Sequence, residues 1–475
     1  MHMSPSRALE YAERHRPQLL AALKEFLRFP SVSSQPVHAS DVQACARWLA
    51  SHLRSIGLGR VQVIPTEGHP VVYAAWQGVP KRPTILIYGH YDVLPGDRLG
   101  EWKSPPFRPE IRDETLYGRG ASDDKGQLFA HLGALEAYFR SERRLPVNVK
   151  CLIEGEEEID SPHLRSFIER NRDALRADAA IMSDNCMLGP DRPVISYANR
   201  GNLRVELQVD GPRTDLHSGN LGGAVHNPLQ GLCELLASLH DSKNRIAIPG
   251  FYKDVRIWSA KERERMARNG PSDREILRDA SVGHGWGEEG FSLYERVALR
   301  PSLALNGVVG GYAGPGVKAI IPNTATAKMS FRLVPDQEPR KIGHLLEQHI
   351  ARVTPPTLRT SVRILSGADP ALVDPSHPAV SAAVLAYEKG FGATPAFIRS
   401  GGTFPVVSMF QKALGLPTVM MGFALPDDRI HAPNERMRLL NLFKGVSTCI
   451  WYLAAVAKCG RELEPKRLAA LEHSA

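Results

Sequence analysis

Over residues 1–200, short β-rich runs alternate with helical patterns, as in a parallel sheet covered by helices on both faces. Candidate strands are Thr84–Tyr88, Val147–Ile153, Ala179–Ser183 and Val194–Tyr197, and a helix is expected from about Lys125 to Arg140. The first three of these strands run into polar residues. From about Gly201 the pattern changes: Leu203, Val205, Leu207 and Val209 alternate with Arg204, Glu206, Gln208 and Asp210, as in a half-exposed strand. A helix around Pro228–His240, a charged stretch around Lys253–Asp279 and strands near Ser302–Val308 and Thr324–Leu333 follow, then a helix near Arg340–Val353 and a strand near Thr360–Leu365. Helix–strand material then returns, with an apolar helix around Ala379–Tyr387 and a buried-type strand at Pro417–Gly422. The expected fold class is α/β, a mostly parallel sheet with helices on both faces. Its domain is split into residues 1–200 and 373–475 by an inserted α+β domain at 201–372.

Length agrees with this division, because 475 residues exceed the roughly 250–300 at which a single core stops growing. The formal charge of +8 arises from 59 basic and 51 acidic residues interspersed along the chain, which argues against a nucleic-acid partner. Near the start, Leu19, Leu20, Leu23, Phe26 and Leu27 are interrupted by Lys24, Glu25 and Arg28, a helical stripe and not a signal-peptide core. No stretch is expected to cross a membrane. Six cysteines without a Cys-x-x-Cys pair indicate neither a disulfide scaffold nor a thiolate zinc site, and point to reduced thiols and a cytoplasmic location.

The polar residues at the strand ends carry the chemistry. Thr84–Tyr88 runs into Gly89-His90-Tyr91-Asp92, an imidazole and a carboxylate two residues apart, which in an extended chain share a side. An isolated His-x-Asp is also an ordinary polar turn. In the run Gly118–Gly126, Asp123 and Asp124 directly precede a helical pattern; an N-cap would account for one aspartate and gives no reason for two. After Val147–Ile153 come Glu154, Glu156, Glu157, Glu158 and Asp160. Charge runs are commonly solvated, but this strand reads as buried, and crowded carboxylates repel unless cations or protons intervene. Ala179–Ser183 ends in Asp184, and His431 lies beyond Pro417–Gly422. Open α/β sheets bind ligands beyond the carboxyl ends of their strands, where all these residues fall. Imidazoles mixed with carboxylates suit zinc, with manganese or cobalt as alternatives, in a catalytic site.

Gly89-His90-Tyr91-Asp92-Val93, the Gly118–Gly126 run and Glu157-Glu158 resemble the metal-site motifs of the M20 metallopeptidase family, and of its carnosinase-like dipeptidases in particular. The likeness extends from about residue 17 to 455 and includes Asp215-Leu216-His217-Ser218-Gly219 and Arg332-Leu333-Val334-Pro335. It implies a zinc-peptidase-like catalytic domain with an inserted lid and dimerisation domain. It further implies hydrolysis of dipeptides or short peptides by a water bridging two divalent metal ions, Zn2+ in the first instance. Asp123 would bridge the pair, His90 and Asp184 would complete one metal, and Glu158 and His431 the other. Asp92 would orient His90, and Glu157 would be the general base. His217 would reach the neighbouring subunit's site and stabilise the oxyanion, making a homodimer necessary. Arg332 would clasp the substrate's terminal carboxylate, with Arg399, Gly402 and Thr403 in the matching substrate loop.

Some positions depart from the family pattern. Glu156-Glu157 could replace Glu157-Glu158 as base and ligand; Ser161 favours the later pair, although Asp160 stands where the family has glycine. Ala319 and Ser366-Gly367 replace a threonine and a His-Gly pair, which counts against carnosine as the substrate. The rival activity is hydrolysis of N-acyl amino acids through the same site. Neither a His-Glu-x-x-His helix nor a Gly-x-Ser-x-Gly elbow occurs.

Overall fold

The computed structural model describes residues 4–463; the ends of the expected domain ranges, 1–3 and 464–475, lie outside them. Two compact units form. The first comprises the chain up to Tyr197, Val373–Ile398 and the residues from Met409, and the second comprises Ala198–Leu372 and Arg399–Ser408. The short Arg399–Ser408 segment, within the expected range 373–475, clusters with the second unit.

In the first unit the principal strands are β1 (Arg60–Ile64), β2 (Val71–Trp76), β3 (Thr84–His90), β4 (Asn148–Glu154), β5 (Ala179–Ser183), β6 (Val194–Asn199) and β7 (Thr418–Met421), in the spatial order β1-β2-β4-β3-β5-β7-β6. The central four, β4, β3, β5 and β7, are parallel, with antiparallel neighbours on either side. Every position of β4 and β5 is buried, as expected of parallel strands covered on both faces. Helix α1 (Lys125–Glu142) is buried from Lys125 through Leu135. Helices α2 (Pro378–Gly390) and α3 (Leu439–Cys459) belong to the same core: Tyr387 of α2 donates to the Gly422 carbonyl (2.9 Å), and Tyr138 of α1 to the Ile450 carbonyl of α3 (3.0 Å).

One expectation needs correction. Helix α3, with 21 residues and a mean hydropathy of 1.4 in its most apolar window, is long and apolar enough to cross a membrane. That window is 78% buried inside the fold, so its apolarity serves the core.

The second unit is built on an antiparallel sheet in the order Ser302–Gly310, Thr324–Leu333, Gly201–Asp210, Arg359–Ala368. Alternation puts Leu203, Val205, Leu207 and Val209 on the same face as Ala327, Met329, Phe331 and Leu333, where Leu232, Leu235, Ile342, Leu346 and Ile350 cover them. Each large apolar side chain buried there contributes about 1.5–3 kcal/mol. The charged stretch forms helices Ala260–Asn269 and Asp273–Asp279, which with Leu293–Ala298 enclose a small cluster of Met266, Tyr294, Ala298 and Leu299.

Candidate metal centre

Parallel register brings the ends of neighbouring strands to one edge of the first unit. His90, the last residue of β3, is opposite Glu154, the last of β4, while β5 and β7 end together at Ser183 and Met421. The loops leaving these ends carry the candidate ligands. His90 is fully buried, with Nδ1 3.1 Å from the Asp92 carbonyl oxygen and 3.3 Å from Asp92 Oδ1. Hydrogen bonding at Nδ1 leaves Nε2 to face Asp123 Oδ1 at 3.2 Å and Asp184 Oδ2 at 4.0 Å. The other oxygen of Asp123 lies 2.8 Å from His431 Nε2, which is 3.4 Å from Glu158 Oε2. Two triads result, His90–Asp123–Asp184 and Asp123–Glu158–His431, and within each the candidate donor atoms lie within 4.8 Å of one another. Donors roughly 2.0–2.2 Å from a cation in tetrahedral array stand about 3.3–3.6 Å apart, and the pairs in the two triads, at 3.2 and 4.0 Å and at 2.8 and 3.4 Å, bracket that spacing, so both triads fit a divalent ion.

The electrostatics agree with that fit. Burial, aided by Asp123 and Asp124, pushes the Asp184 carboxyl well above the carboxylate range. Burial likewise raises Glu157, opposed by His90 and reinforced by Asp123, Glu158 and Asp92. Burial would raise Asp123 too, but hydrogen bonds from His431 and His90 outweigh it and hold this carboxyl well below its usual range. His431 is raised to about 10 by Asp123 and Glu158. So many largely buried carboxylates crowded together call for added positive charge.

The acidic loop has a definite register. Asp92 Oδ1 and Oδ2 accept from the backbone N–H groups of Glu157 and Glu158, both at 3.1 Å, so one carboxylate faces His90 and also pins this loop. Glu158 extends to His431, whereas Glu156 accepts from the His69 N–H (3.0 Å) and lies 2.9 Å from His163 Nδ1. Ser161 and Tyr88 both donate to Glu154 Oε1, at 2.9 and 2.6 Å, closing the turn that follows. In the Gly118–Gly126 run, a Cβ on Gly126 would stand 1.9 Å from the Ala121 carbonyl oxygen, so this tight path demands glycine. Asp124 precedes α1 without a side-chain cap bond; its Oδ2 accepts from the His90 N–H at 3.2 Å.

Sequence reasoning did not find Glu435. This buried carboxylate accepts from Arg119 Nη1 (2.7 Å) and the Gly120 N–H (3.0 Å) through Oε2, and from the Ser122 (2.9 Å) and Asp123 (3.1 Å) N–H groups through Oε1. It ties the segment bearing Asp123 to the segment bearing His431. The contact spans more than 300 residues, as the 312 between Asp123 and Glu435 show, and no local pattern announces it.

The remaining predicted site residues are in the second unit. Arg332 Nη1 donates to Thr403 Oγ1 at 2.6 Å, and Gly402 N–H to Ser400 Oγ at 3.1 Å. Arg399 is only 2% exposed; its guanidinium pairs with Glu262 (2.7 Å) and stacks over Trp258, 3.7 Å from the ring centre. His217 is exposed, and its Nδ1 accepts from the Gly219 N–H at 3.0 Å, which in the neutral ring puts the proton on Nε2.

Residues 86–454 match the model of peptidase family M20/M25/M40. The Cys-Gly metallodipeptidase DUG1 of Candida albicans is 30% identical over 461 residues, covering 93% of this chain and 95% of that protein. The human Beta-Ala-His dipeptidase is 30% identical over 460 residues, with 92% and 90% covered. Among solved structures, an M20 family metallo-carboxypeptidase from Sulfolobus solfataricus superimposes with a TM-score of 0.83 at 34% identity, covering 93% of this chain and 99% of that one.

Proposed function

This chain belongs to peptidase family M20/M25/M40 and is a metal-dependent peptidase, and on that premise we propose that it hydrolyses dipeptides or similarly short peptides at the two triads joined by Asp123. Asp123 carries the assignment, because its two oxygens face His90 and His431 separately. His90, Asp123 and Asp184 would hold one divalent cation, and Asp123, Glu158 and His431 the other, with Asp92 orienting His90. The all-imidazole and carboxylate donor set suits Zn2+, with Mn2+ or Co2+ as alternatives. Such a pair of cations, when bound, polarises the scissile carbonyl and lowers the pKa of a shared water.

Glu157 is pinned by its backbone and sits outside both triads. Its raised carboxyl suits a general base that takes the water's proton and returns it to the leaving amine. Arg332, with Gly402 and Thr403, binds the substrate's terminal carboxylate and backbone. We give Arg399, occupied by Glu262 and Trp258, the part of supporting that loop. His217, with its proton on Nε2, donates to the oxyanion in the neighbouring subunit of a homodimer. The terminal position of strand Ser302–Gly310 in its sheet and the exposed Leu305, Val308 and Val309 on it support pairing with a second copy. None of the six cysteines forms a disulfide, which supports a reducing cytoplasmic setting.

Chelation followed by reconstitution with single metals, assayed against dipeptides and N-acetyl amino acids, tests this function. Restored cleavage of free dipeptides is expected; cleavage of N-acetyl amino acids alone would replace it with deacylation.

A further inference from the structure

Arg200 joins several features of the second unit. Its Nε donates to the Gly401 carbonyl (3.0 Å), its backbone N–H to the Gly402 carbonyl (3.0 Å) and its Nη1 to Ser302 Oγ (3.2 Å). Ser302 is the cross-strand partner of Arg332, and directly opposed side chains of an antiparallel pair share a face with Cβ atoms about 4.5–5.5 Å apart. Since Arg332 also donates to Thr403, the residues Arg200, Ser302, Arg332 and Thr403 form one polar row along the Gly401–Thr403 loop.

A cavity of about 190 Å³ adjoins this row, with Arg200, Ser302, His240, Trp286, Arg296 and Arg300 in its wall. It backs directly onto the loop: a Cβ on Gly401 would meet Val297 Cγ1 at 2.4 Å and Arg200 Nη2 at 3.5 Å, and both residues also line the cavity. The charge of the wall is unbalanced. Glu288 is gripped by Arg300 at 2.7 and 2.8 Å and approached by Arg245 at 3.4 Å, so its charge is already matched. Arg200 and Arg296 donate to carbonyl and hydroxyl oxygens and have no carboxylate partner among the described residues. Burial and the nearby Arg332 lower the Arg200 guanidinium to about 10, leaving it charged at neutral pH. Desolvating a cation without a counter-ion is unfavourable, and an anionic ligand would supply the missing charge.

We propose that this cavity receives the side chain of the substrate's C-terminal residue and that Arg200 selects an acidic one, glutamate or aspartate. The inference rests on Arg332 and Thr403 being the site of the substrate's α-carboxylate. Ser302 stands opposite Arg332 and accepts from Arg200, so an α-carboxylate beside Arg332 puts the C-terminal side chain on the face that Arg200 occupies. Its methylenes lie against the Trp286 and Leu303 side of the cavity, and its carboxylate forms a charge-assisted pair with Arg200.

The test is kcat/KM for Ala-Glu, Ala-Gln, Ala-Asp, Ala-Asn and Ala-Leu with the wild-type enzyme, Arg200→Met and Arg200→Lys. Wild type should prefer Ala-Glu to Ala-Gln by about tenfold or more. Arg200→Met should bring that ratio near unity through KM, and Arg200→Lys should keep most of it. A wild-type ratio of one overturns the proposal without any variant, as does a ratio that survives Arg200→Met. Arg332→Ala, assayed in parallel on free and amidated dipeptides, isolates the underlying assignment: equal losses on both reject the α-carboxylate site itself. Selective loss on free dipeptides beside a wild-type Glu/Gln ratio of one rejects Arg200 alone.

Discussion

Replacing Glu435 by glutamine probes how the two halves of the candidate centre are held together. The carboxylate accepts four hydrogen bonds, two at each oxygen, and balances the buried Arg119. Glutamine has the same shape but a single acceptor oxygen, so in either orientation two donors meet an NH2 group. Each buried donor left without an acceptor costs about 1–3 kcal/mol, and breaking a buried charge pair from one side costs about 3–5 kcal/mol. These terms overlap at Arg119, and about 3–5 kcal/mol is the expected total, equivalent to a fall in Tm on the order of 10 °C. Because Oε1 accepts from the Asp123 N–H itself, metal affinity should fall as well. Differential scanning fluorimetry with and without metal, alongside metal content by mass spectrometry, reads both effects. The cycle with Arg119→Met adds a check: the double variant should be less destabilised than the sum of the single variants, since removing both partners removes the orphaned charge. A Glu435→Gln protein with wild-type Tm and full metal content would refute the positioning role.

Glu157→Gln should retain metal while turnover falls about 10²–10⁴-fold; metal loss of the same degree would make it a ligand instead. Mixing His217→Ala with Glu157→Gln should restore part of the activity if the site is shared between subunits, and no recovery after subunit exchange would exclude sharing. His431 is raised to about 10 by Asp123 and Glu158. A raised histidine stabilises the metal-free fold fully below its unfolded value of about 6.5 and loses that contribution as pH rises through about 10. Ligation needs the neutral ring, so metal uptake at pH 7 should expel about one proton or more. Calorimetry in buffers of different ionisation enthalpy measures this, and a buffer-independent heat would contradict it.

Much of the fold is legible because its strands are short, apolar and punctuated by polar ends. Ala179–Ser183 and Thr324–Leu333 have the same limits in the sequence pattern and in the structure. His90, the Asp123-Asp124 pair, the acidic run from Glu154 to Asp160, Asp184 and His431 stand out because each follows a strand or precedes a helix, and parallel topology then carries such residues to one edge; the choice of Asp123 and Glu158 within their clusters comes from the resemblance to the M20 family. Local pattern cannot show which distant group satisfies a buried donor. Glu435 is therefore invisible until residues 119–123 and 428–436 are seen side by side, and so is the second task of Asp92, bonding the N–H groups of Glu157 and Glu158. The Glu156–Glu158 register also depends on partners remote in sequence, His69 for Glu156 and His431 for Glu158, with the nearby His163 adding to the hold on Glu156. Arg399 shows the opposite difficulty: beside a Gly-Gly loop an arginine resembles a ligand-binding cation, and only tertiary packing reveals Glu262 and Trp258 around it.

Anomalous diffraction at the zinc edge from crystals reconstituted with zinc would test the dinuclear centre most directly. Two peaks should flank Asp123, one bounded by His90 and Asp184 and the other by Glu158 and His431. A single peak that leaves one triad empty, or peaks remote from Asp123, would contradict a centre bridged by that carboxylate.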